Sequence, residues 1–556
     1  MTRTGTEDLV FAPLGGAGEI GMNLNLYGFG PESDRKWMIV DLGVTFGNGT
    51  TAGVDVIMAD PSFIEQHQED LVGIVLTHAH EDHVGAVPYL WNRLRCPVFG
   101  TPFTLSILRR KLREEGIERE VPLYSVPLSG HFQLGPFDLE MVTLTHSIPE
   151  PNAIAIHTPA GTVLHTGDWK LDPAPVIGPQ AEEETLRRLG DSGILAIVCD
   201  STNVFEPGSS GSESELLEGL TDVIAGCENR VAVGCFASNV ARLETIAAAA
   251  RANGRDVVIA GRSLRRIEEA ARENDYLSDV PAFLPEDSAA ELPRDRVLII
   301  CTGSQGEPRA ALSRIAEGDH PRVKLEEGDT VVFSSRVIPG NELAIARLHN
   351  LLTRRGVRIV TQKDSFVHVS GHPARDEMVR MYSLVRPRIC VPVHGEARHL
   401  AEHARLAGEC GVSVTIPVEN GDMVHLGPGD PGLIDTVPVG RLALDGNRLV
   451  PLDGPAVRER TKVLYNGTAS VAVVVDGNGQ LAAEPQVSAV GLLDGGEESF
   501  ALETARGAAS RAFDRLKDSA REDDESVREA VRIAVRRAFR KTLGKKPVTQ
   551  VQVIRL

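Results

Sequence analysis

The segment LTHAHEDHVGAV, residues 76–87, places three histidines and two carboxylates within six positions, directly after the apolar run GIVLT. The run predicts a strand and VGAVPYLWNRL predicts a helix, so the cluster lies in the loop between them. Imidazole and carboxylate bind divalent ions such as zinc or manganese, and a loop lets alternate side chains converge. A lone histidine is usually solvated or hydrogen-bonded. Four ligand-type residues together indicate a metal site: His78, His80, Asp82 and His83.

Three further ligand-type residues follow apolar, strand-like runs elsewhere in the chain: His146 in TLTHSIP, Asp168 in VLHTGDWK and His394 in VPVHGE. We expect them at the same sheet edge as the histidine cluster. Two ions about 3.5–4 Å apart can activate a water and neutralise the oxygens of a phosphodiester. The same pair would serve an amide or a thioester, so these residues alone leave the substrate open.

The long interval between Asp168 and His394 narrows the choice of substrate. From about residue 213 the sequence alternates between helical and strand-like segments, which predicts a parallel α/β unit. A small hydrolase would not need such an insertion. We expect the unit to lie over the metal cleft as the second wall of a channel.

The motifs together resemble a known group of enzymes. HAHEDH, the isolated histidine, HTGD and the late histidine resemble the metallo-β-lactamase superfamily. The insertion, with CDSTN, HVSGH and PVHGE, resembles the β-CASP domain of nucleic-acid-cutting members. CFASN, GRS, TGSQGEPRAALSRIA and IPGNE resemble the ribonuclease J family in particular, and the resemblance extends along nearly the whole chain.

The resemblance implies a set of metal ligands. One ion would be held by His78, His80 and His146. The other would be held by Asp82, His83 and His394, with Asp168 bridging the two. Zinc is the expected ion, with manganese or magnesium as alternatives. A structural calcium is also implied, with Gly53, Asp55 and Asp445 as its candidate residues, although the segment after Asp41 is poor in acids.

The resemblance also implies catalytic and substrate-binding residues. Asp82, Asp200 and His368 are the expected catalytic residues, with Asp200 orienting His368 so that it stabilises or protonates the leaving oxygen. A cradle for the 5′-monophosphate of RNA is expected from seven residues: Ser238, Asn239, His368, Val369, Ser370, Gly371 and His372. Hydroxyls, imidazoles and backbone amides around a glycine suit a phosphate.

The leading functional hypothesis is a two-metal ribonuclease that degrades RNA from its 5′ end, with an activated hydroxide attacking the phosphodiester and with additional internal cutting. A β-CASP endonuclease that processes RNA ends or DNA is the alternative. A metabolite hydrolase is disfavoured by the insertion and by HVSGH. A non-catalytic scaffold is disfavoured because every candidate ligand is present.

The expected fold is α/β: a metallo-β-lactamase αββα sandwich with an inserted β-CASP α/β domain and a small α+β C-terminal domain. The predicted boundaries are 1–212 and 366–448 for the two parts of the sandwich, 213–365 for the insertion, 449–465 for a linker and 466–556 for the C-terminal domain. GAGEIG, residues 16–21, fits a dinucleotide-binding pattern, but MNLNLYGFG after it alternates like a strand. A glycine turn between strands is therefore predicted.

The composition limits which cellular compartment and which binding partners are expected. The chain has 556 residues, seven scattered cysteines and a formal net charge of −19. Single cysteines without a CxxC pattern predict a reduced, cytoplasmic protein, and no segment resembles a secretory signal or a membrane span. The acidic balance speaks weakly against nucleic acid, because a basic groove can lie on an acidic body.

The expected partners are single-stranded RNA, further copies of the chain in a homodimer or homotetramer formed through the C-terminal domain, and an RNA-degradation complex; no membrane is expected. Arginines recur at every fourth position from Arg528 to Arg540, beside Val527, Val531 and Val535. This basic stripe would bind RNA or an acidic partner surface. Alternatively, the arginines form a solvated helix face, and the valines pack the helix against the protein.

Overall fold

The computed structural model describes residues 7–47, 51–338, 340–494 and 498–556. The chain divides into two compact units. The first comprises Met1–Thr45 and Met58–Gly440, and the second comprises Phe46–Ile57 and Arg441–Leu556.

The first 212 residues contribute short strands and few helices. The strands are β1 (Asp8–Gly15), β2 (Ala17–Gly18), β3 (Leu24–Gly30), β4 (Lys36–Leu42), β5 (Val44–Phe46), β6 (Val56–Ala59), β7 (Leu71–Val75), β8 (Val98–Gly100), β9 (Leu123–Ser125), β10 (His131–Leu134), β11 (Phe137–Thr143), β12 (Asn152–Thr158), β13 (Gly161–His165) and β14 (Ala196–Asp200). The helices are α1 (Ser62–Glu65), α2 (Glu81–Val84), α3 (Val87–Leu94), α4 (Pro102–Glu114) and α5 (Glu183–Ser192).

A parallel α/β domain follows, as the alternating pattern predicts. Its strands are β15 (Val231–Gly234), β16 (Asp256–Ala260), β17 (Val297–Cys301), β18 (Thr330–Phe333) and β19 (Arg358–Val360). Its helices are α6 (Leu216–Ala225), α7 (Val240–Ala252), α8 (Arg262–Glu273), α9 (Ser288–Glu291), α10 (Ala311–Glu317) and α11 (Glu342–Arg354). The strands form one sheet, ordered β16-β17-β15-β18-β19, and all its pairs are parallel. Two separate apolar clusters flank the buried strands of this sheet, so helices pack on both of its faces.

The chain then returns to the first domain. The returning elements are α12 (Arg375–Val385), β20 (Ile389–Val393), β21 (Gly395–Glu396), α13 (Ala397–Glu409), β22 (Val414–Thr415), β23 (Asp422–Gly427) and β24 (Gly432–Thr436).

Two mixed sheets form the sandwich of the first unit. One has eight strands, ordered β24-β23-β1-β3-β4-β7-β8-β9, and the other has seven, ordered β10-β11-β12-β13-β14-β20-β22. Their facing side chains share one core, which contains Phe11 and Val40 of the first sheet and Ile154 and Val391 of the second. Helices α5, α12 and α13 cover the outer face of the second sheet through another apolar cluster. The predicted αββα sandwich with an α/β insertion is confirmed.

The register of the parallel strands aligns their carboxyl ends at one edge of the first unit. Val40 pairs with Val75, so Asp41 lies beside the start of the histidine cluster. His165 pairs with Val198, and Asp200 pairs with Val393. Loops that leave these ends therefore meet in one place, as the sequence predicts for the ligand-type residues.

The second unit contains β25 (Arg441–Asp445), β26 (Arg448–Pro451), α14 (Pro455–Asn466), β27 (Thr468–Val475), β28 (Gln486–Val490), α15 (Glu498–Asp514), α16 (Asp518–Arg521), α17 (Asp524–Leu543) and β29 (Val548–Arg555). Strands β28, β27 and β29 form a sheet on which α15 and α17 pack. Val527, Val531 and Val535 of α17 are buried in that core, as a docked helix face requires.

The segment 449–465 differs from the predicted loose linker, since it holds the end of β26 and most of α14. Pro455 stands in the first turn of α14, where its missing N–H costs nothing, and Gly454 precedes it. Only Val457 of this helix is buried, so its sequence carries little apolar periodicity. In the described part of the chain, no helix is long and apolar enough to cross a membrane.

Candidate metal centre

Strand ends and tight turns bring the predicted ligands together. His78 and His80 follow β7, Asp168 follows β13, and His394 follows β20. Gly167 lies between β13 and Asp168 with φ of 55°, and a Cβ there would come within 2.9 Å of the Thr77 Cβ. Only glycine permits this close approach in the left-handed region.

The first group of ligand atoms is formed by three imidazoles. Nδ1 of His80 lies 3.1 Å from Nε2 of His78 and 3.1 Å from Nε2 of His146. The Asp168 Oδ2 lies 3.9 Å from the Nε2 of His78 and 3.9 Å from that of His146. Together the four residues offer one ligand atom each within 4.8 Å of one another.

The second group lies beside the first and shares Asp168. Asp168 Oδ2 is 3.2 Å from Nε2 of His83 and 3.6 Å from Nε2 of His394. Asp82 Oδ2 is 3.5 Å from the same His83 nitrogen and 3.6 Å from the same His394 nitrogen. Asp168 thus occupies the bridging position between two sets of ligand-type atoms.

The protonation states of the first group and of Asp168 favour metal binding. Burial lowers the pKa of His80 to about 4 and holds those of His78 and His146 well below the ordinary histidine value. These rings are therefore neutral imidazoles, the form that ligates a metal. Burial opposes ionisation of Asp168, but His394 and His83 outweigh it and hold its pKa well below the usual range. The bridging carboxylate is ionised.

An orphaned atom tests whether the residues fit a metal. The Asp168 side chain is 3% exposed, and its Oδ1 has no hydrogen-bond partner in the described part of the chain. A buried carboxylate oxygen without a partner costs free energy unless a cation or donor meets it. Because the carboxylate lies among converging imidazole nitrogens, the residues fit divalent ions.

Residues that the sequence analysis did not assign hold the second group in place. The Asp41 carboxylate accepts from the Thr77 N–H and from Nδ1 of His83, at 2.8 and 2.6 Å. Asn23 lies 3.1 Å from Nδ1 of His394 through its Oδ1. Such partners fix the orientation of metal-binding imidazoles. A buried acid near the end of the strand WMIVDLG is the sequence signal for Asp41.

Backbone geometry also aims two of these residues. Asp41 and His394 have φ of 65° and 53°, in the left-handed region that non-glycine residues avoid. The His394 N–H donates to the Gly16 carbonyl at 2.6 Å, so the glycine turn between β1 and β3 supports the late histidine. The glycine turn between strands that GAGEIG predicts is therefore present, and it also holds a residue of the site.

The expected pairing of Asp200 with His368 is wrong. Asp200 Oδ2 accepts from Nδ1 of His372 at 2.8 Å, and the His372 ring lies parallel to that of His394 at 5.8 Å. Nδ1 of His368 instead lies 3.3 Å from NH1 of Arg242. Asp200, His372, Asp168 and His394 also form a group of ligand-type atoms within 4.8 Å. His372 is thus the histidine of HVSGH that reaches the metal cluster.

The expected phosphate cradle is only partly open to a ligand. Asn239 Oδ1 accepts from the Arg242 N–H at 2.9 Å and caps α7. Gly371 lies against His146, whose Nδ1 donates to the Gly371 carbonyl at 2.5 Å. These two residues are therefore committed to the fold and to the ligand set. Ser238 and Ser370 remain partly exposed, and Val369 is buried.

A buried arginine ties the insertion to the HVSGH loop. Arg242 is 1% exposed, and its Nε and NH2 donate to the Glu213 carboxylate at 2.6 and 3.0 Å. Its NH1 donates to the Ser334 carbonyl and hydroxyl at 2.8 and 2.6 Å. The Ser334 hydroxyl in turn donates to the Val367 carbonyl at 2.6 Å. A position inside the helix VARLETIAAAARA gave no sequence signal for this role.

The residues expected to hold calcium do not fit that ion. Asp445 of the second unit accepts from Arg460 at 2.6 Å and from Arg448 at 3.3 Å, and the hydrogen bond from Arg460 holds its pKa below the usual range. A Cβ at Gly53 would come within 3.9 Å of Cδ of Arg460, so this side chain lies beside the glycine. Among the described residues, no group of three ligand-type side chains includes Asp55 or Asp445. The guanidinium groups of Arg460 and Arg448 therefore supply the positive charge beside Asp445.

Comparison with known proteins agrees with this geometry. Family models match in four consecutive regions: the metallo-β-lactamase superfamily at residues 32–185, the ribonuclease J β-CASP domain at 228–352, a zinc-dependent metallo-hydrolase RNA specificity domain at 356–417, and the ribonuclease J C-terminal domain at 455–556. A crystal structure of a protein of unknown function from Enterococcus faecalis shares the fold, with a TM-score of 0.52 and 17% identity over 75% of this chain and 100% of that one.

Two curated relatives carry the comparison further. The chain is 44% identical to ribonuclease J of Sinorhizobium meliloti, over 99% of its own length and 98% of the relative. It is 41% identical to ribonuclease J of Mycolicibacterium smegmatis, over 90% of this chain and 89% of that protein. With 44% identity over nearly its whole length and matches to the ribonuclease J β-CASP and C-terminal models, the chain belongs to the ribonuclease J family.

Proposed function

We propose that this chain, as a metal-dependent ribonuclease, degrades single-stranded RNA from a 5′-monophosphate end in the 5′ to 3′ direction, and that it uses two divalent ions. One observation carries the proposal: Asp168 is shared between two groups of ligand atoms, and His372, held by Asp200, lies beside them. Zinc is the expected ion, because imidazole and carboxylate ligands suit it.

The two ions would occupy the groups described above. His78, His80 and His146 would hold one of them. Asp82, His83 and His394 would hold the other, with Asp168 between them. When bound, the ions would supply a water of lowered pKa and neutralise charge on the phosphodiester. Burial keeps the rings of His78 and His146 neutral, and the surrounding histidines keep Asp168 ionised.

His372 is the residue proposed to act on the leaving group. Its Nδ1 donates to Asp200, so Nε2 is the nitrogen that can give a proton to the 3′ oxygen as the bond from phosphorus to that oxygen breaks. The water oxygen forms the new bond to phosphorus, and a nucleoside 5′-monophosphate leaves. Asp200 also accepts from the Thr202 N–H at 2.8 Å, which fixes its carboxylate for this task.

The 5′ end is proposed to bind in a cavity next to the HVSGH loop. The cavity has a volume of about 330 Å³ and is lined by Ser210, Arg336, His368 and Ser370 among others. Burial and the charges of Arg242 and Arg336 hold the pKa of His368 well below its ordinary value, so His368 offers a neutral ring to a phosphate. Ser370 Oγ accepts from Asn203 at 2.8 Å, which leaves its own proton available for the ligand.

Self-assembly through the C-terminal domain is proposed from apolar exposure in the second unit. Tyr465, Val490, Phe500 and Leu556 are 63%, 73%, 70% and 77% exposed. Strand β28 ends one side of its sheet and β29 ends the other, so both edges present backbone groups. A homodimer or homotetramer would cover such surface, and an RNA-degradation complex is the other proposed assembly.

Labelled RNA tests the proposed direction. A single-stranded RNA is prepared with a 5′-monophosphate or a 5′-triphosphate, and with the label at the 5′ or the 3′ end. We expect labelled mononucleotide to appear first from the 5′-labelled, monophosphorylated RNA, with the triphosphorylated RNA degraded more slowly. Internal fragments of equal yield from both RNAs would support the endonuclease instead and overturn the proposal.

A further inference from the structure

Asn203 is the last residue of the CDSTN motif and takes no part in the proposed metal centre. It lies three residues after Asp200, in the loop that follows β14. The residue is 6% exposed, so its amide has to find hydrogen-bond partners inside the protein. Both ends of that amide have such partners, and the partners belong to the functional site.

The nitrogen end of the amide holds the HVSGH loop. Nδ2 of Asn203 donates to the Ser370 hydroxyl oxygen at 2.8 Å and to the His372 carbonyl at 3.0 Å. The Ser370 oxygen also accepts from the His372 N–H at 3.2 Å. Because this oxygen already accepts twice, the Ser370 proton is free to be donated elsewhere. Ser370 lines the cavity that is proposed to bind the 5′ phosphate.

The oxygen end of the amide holds an arginine from the loop after β18. Oδ1 of Asn203 accepts from NH1 of Arg336 at 3.1 Å, and NH2 of Arg336 donates to Glu206 at 2.6 Å. Arg336 lines the same cavity as Ser370, and its side chain is 42% exposed. A guanidinium carries five N–H donors. These two hydrogen bonds therefore leave donors that can meet a phosphate in the cavity.

A neutral amide suits both sets of partners, and a carboxylate of the same shape does not. The amide oxygen faces a guanidinium, which can only donate, and the amide nitrogen faces two oxygens that accept. A carboxylate at position 203 would stand beside Glu206 as a second negative charge and would offset the charge of Arg336. It would also accept the Ser370 proton. Each of these changes would take a favourable interaction away from a 5′ phosphate.

Asn203 also contacts the residue that is proposed to act on the leaving group. One short loop holds His372 at two points, its ring through the Asp200 carboxylate at 2.8 Å and its carbonyl through Asn203 at 3.0 Å. Ser370 and His372 are two residues apart in the HVSGH loop, and a single amide binds both. The wall of the 5′ cavity and the leaving-group histidine are therefore fixed relative to each other.

We propose that Asn203 is a positioning residue for recognition of the 5′ phosphate. It aims the Ser370 hydroxyl and the Arg336 guanidinium at the phosphate, and it keeps both at a fixed distance from His372. This role rests on the proposed function, because it assumes that the cavity beside HVSGH binds a 5′-monophosphate.

Cleavage kinetics of the full chain on two RNAs test this role. The RNAs share one sequence and carry either a 5′-monophosphate or a 5′-hydroxyl, and the phosphate advantage is the ratio of their two kcat/KM values. Asn203→Asp should lower the phosphate advantage about tenfold or more, the usual effect of losing a hydrogen bond to a charged group. The loss should appear as a higher KM for the monophosphorylated RNA, with the KM for the hydroxyl RNA unchanged.

Asn253→Asp is the matched control. Nδ2 of Asn253 also donates to two oxygens, the carbonyls of Thr221 and Ala249, but it does so at the end of α7. The same chemical change there should leave the phosphate advantage at the parent value. The thermal midpoint and the metal content of Asn203→Asp should also match those of the parent.

A second comparison separates positioning from general damage to the fold. Ser370→Ala removes the hydroxyl through which Asn203 is proposed to act, so adding Asn203→Asp to it should cost less than Asn203→Asp costs alone. A phosphate advantage of Asn203→Asp within about twofold of the parent value, losses that multiply in the double variant, or equal losses on both RNAs would overturn the proposal. A parent chain that shows no phosphate advantage would instead overturn the proposed function itself.

Discussion

Removing Arg242 should destabilise the first unit and disturb the HVSGH loop together. Its guanidinium is fully buried and donates to Glu213 and Ser334. Arg242→Met keeps an unbranched apolar stem and deletes the guanidinium with its charge. Glu213, which is 6% exposed, then keeps a buried carboxylate without its counter-ion. Breaking such a pair by removing one partner costs about 3–5 kcal/mol.

A double variant distinguishes the free-energy cost of the unpaired buried charge from the cost of lost packing. Arg242→Met combined with Glu213→Gln leaves no unpaired buried charge, so we expect it to be more stable than Arg242→Met alone. Urea unfolding followed by circular dichroism measures both variants against the parent. Cleavage of 5′-monophosphorylated RNA should fall in both, because Arg242 also contacts His368 at 3.3 Å. A single variant within roughly 1 kcal/mol of the parent, or a double variant that is no more stable than the single one, would refute the reasoning.

Three further predictions concern catalysis, acid stability and assembly. His372→Ala should lower kcat by about 10²–10⁴-fold, whereas His368→Ala should chiefly reduce the preference for a 5′-monophosphate; steady-state kinetics on both RNAs would contradict this if the two variants behaved alike. The buried Asp172 has a pKa below its usual range, because Lys170 and Ser212 outweigh burial. Its stabilisation is therefore present above the unfolded pKa of about 3.9 and lost as pH falls through the lowered value, so acid unfolding should be steeper in the parent than in Asp172→Asn. Deleting residues after 460 should reduce the oligomer size in light scattering without removing the metal ligands, and equal sizes for both proteins would exclude assembly through this domain.

The part of the site that the sequence reveals is the part whose chemistry is local. HAHEDH is recognisable as a metal-binding motif because four ligand-type side chains share one loop. His146, Asp168 and His394 are recognisable because each follows an apolar strand, and parallel strands end at a common edge. The alternation of helices and strands likewise predicts the insertion, because the apolar periodicity of each helix or strand depends only on residues close together in the sequence.

The sequence could not reveal in which direction a side chain points within a loop, or which residues far apart in the sequence contact each other. His368 and His372 are four residues apart in one loop, and nothing in HVSGH tells which ring meets Asp200. The answer depends on Arg242, from another element, which lies against His368. The calcium expectation is not supported for a similar reason, since Arg460 lies in a helix that the sequence pattern presented as a linker.

Metal content measured together with RNA cleavage tests the central claim most directly. The parent chain, Asp168→Ala and Arg95→Met are purified, and zinc and manganese per chain are determined by mass spectrometry. The account predicts two ions per chain in the parent and in Arg95→Met, loss of metal and of cleavage in Asp168→Ala, and loss of parent activity on chelation with recovery on adding metal. An Asp168→Ala protein that keeps two ions and cleaves RNA at the parent rate would contradict it.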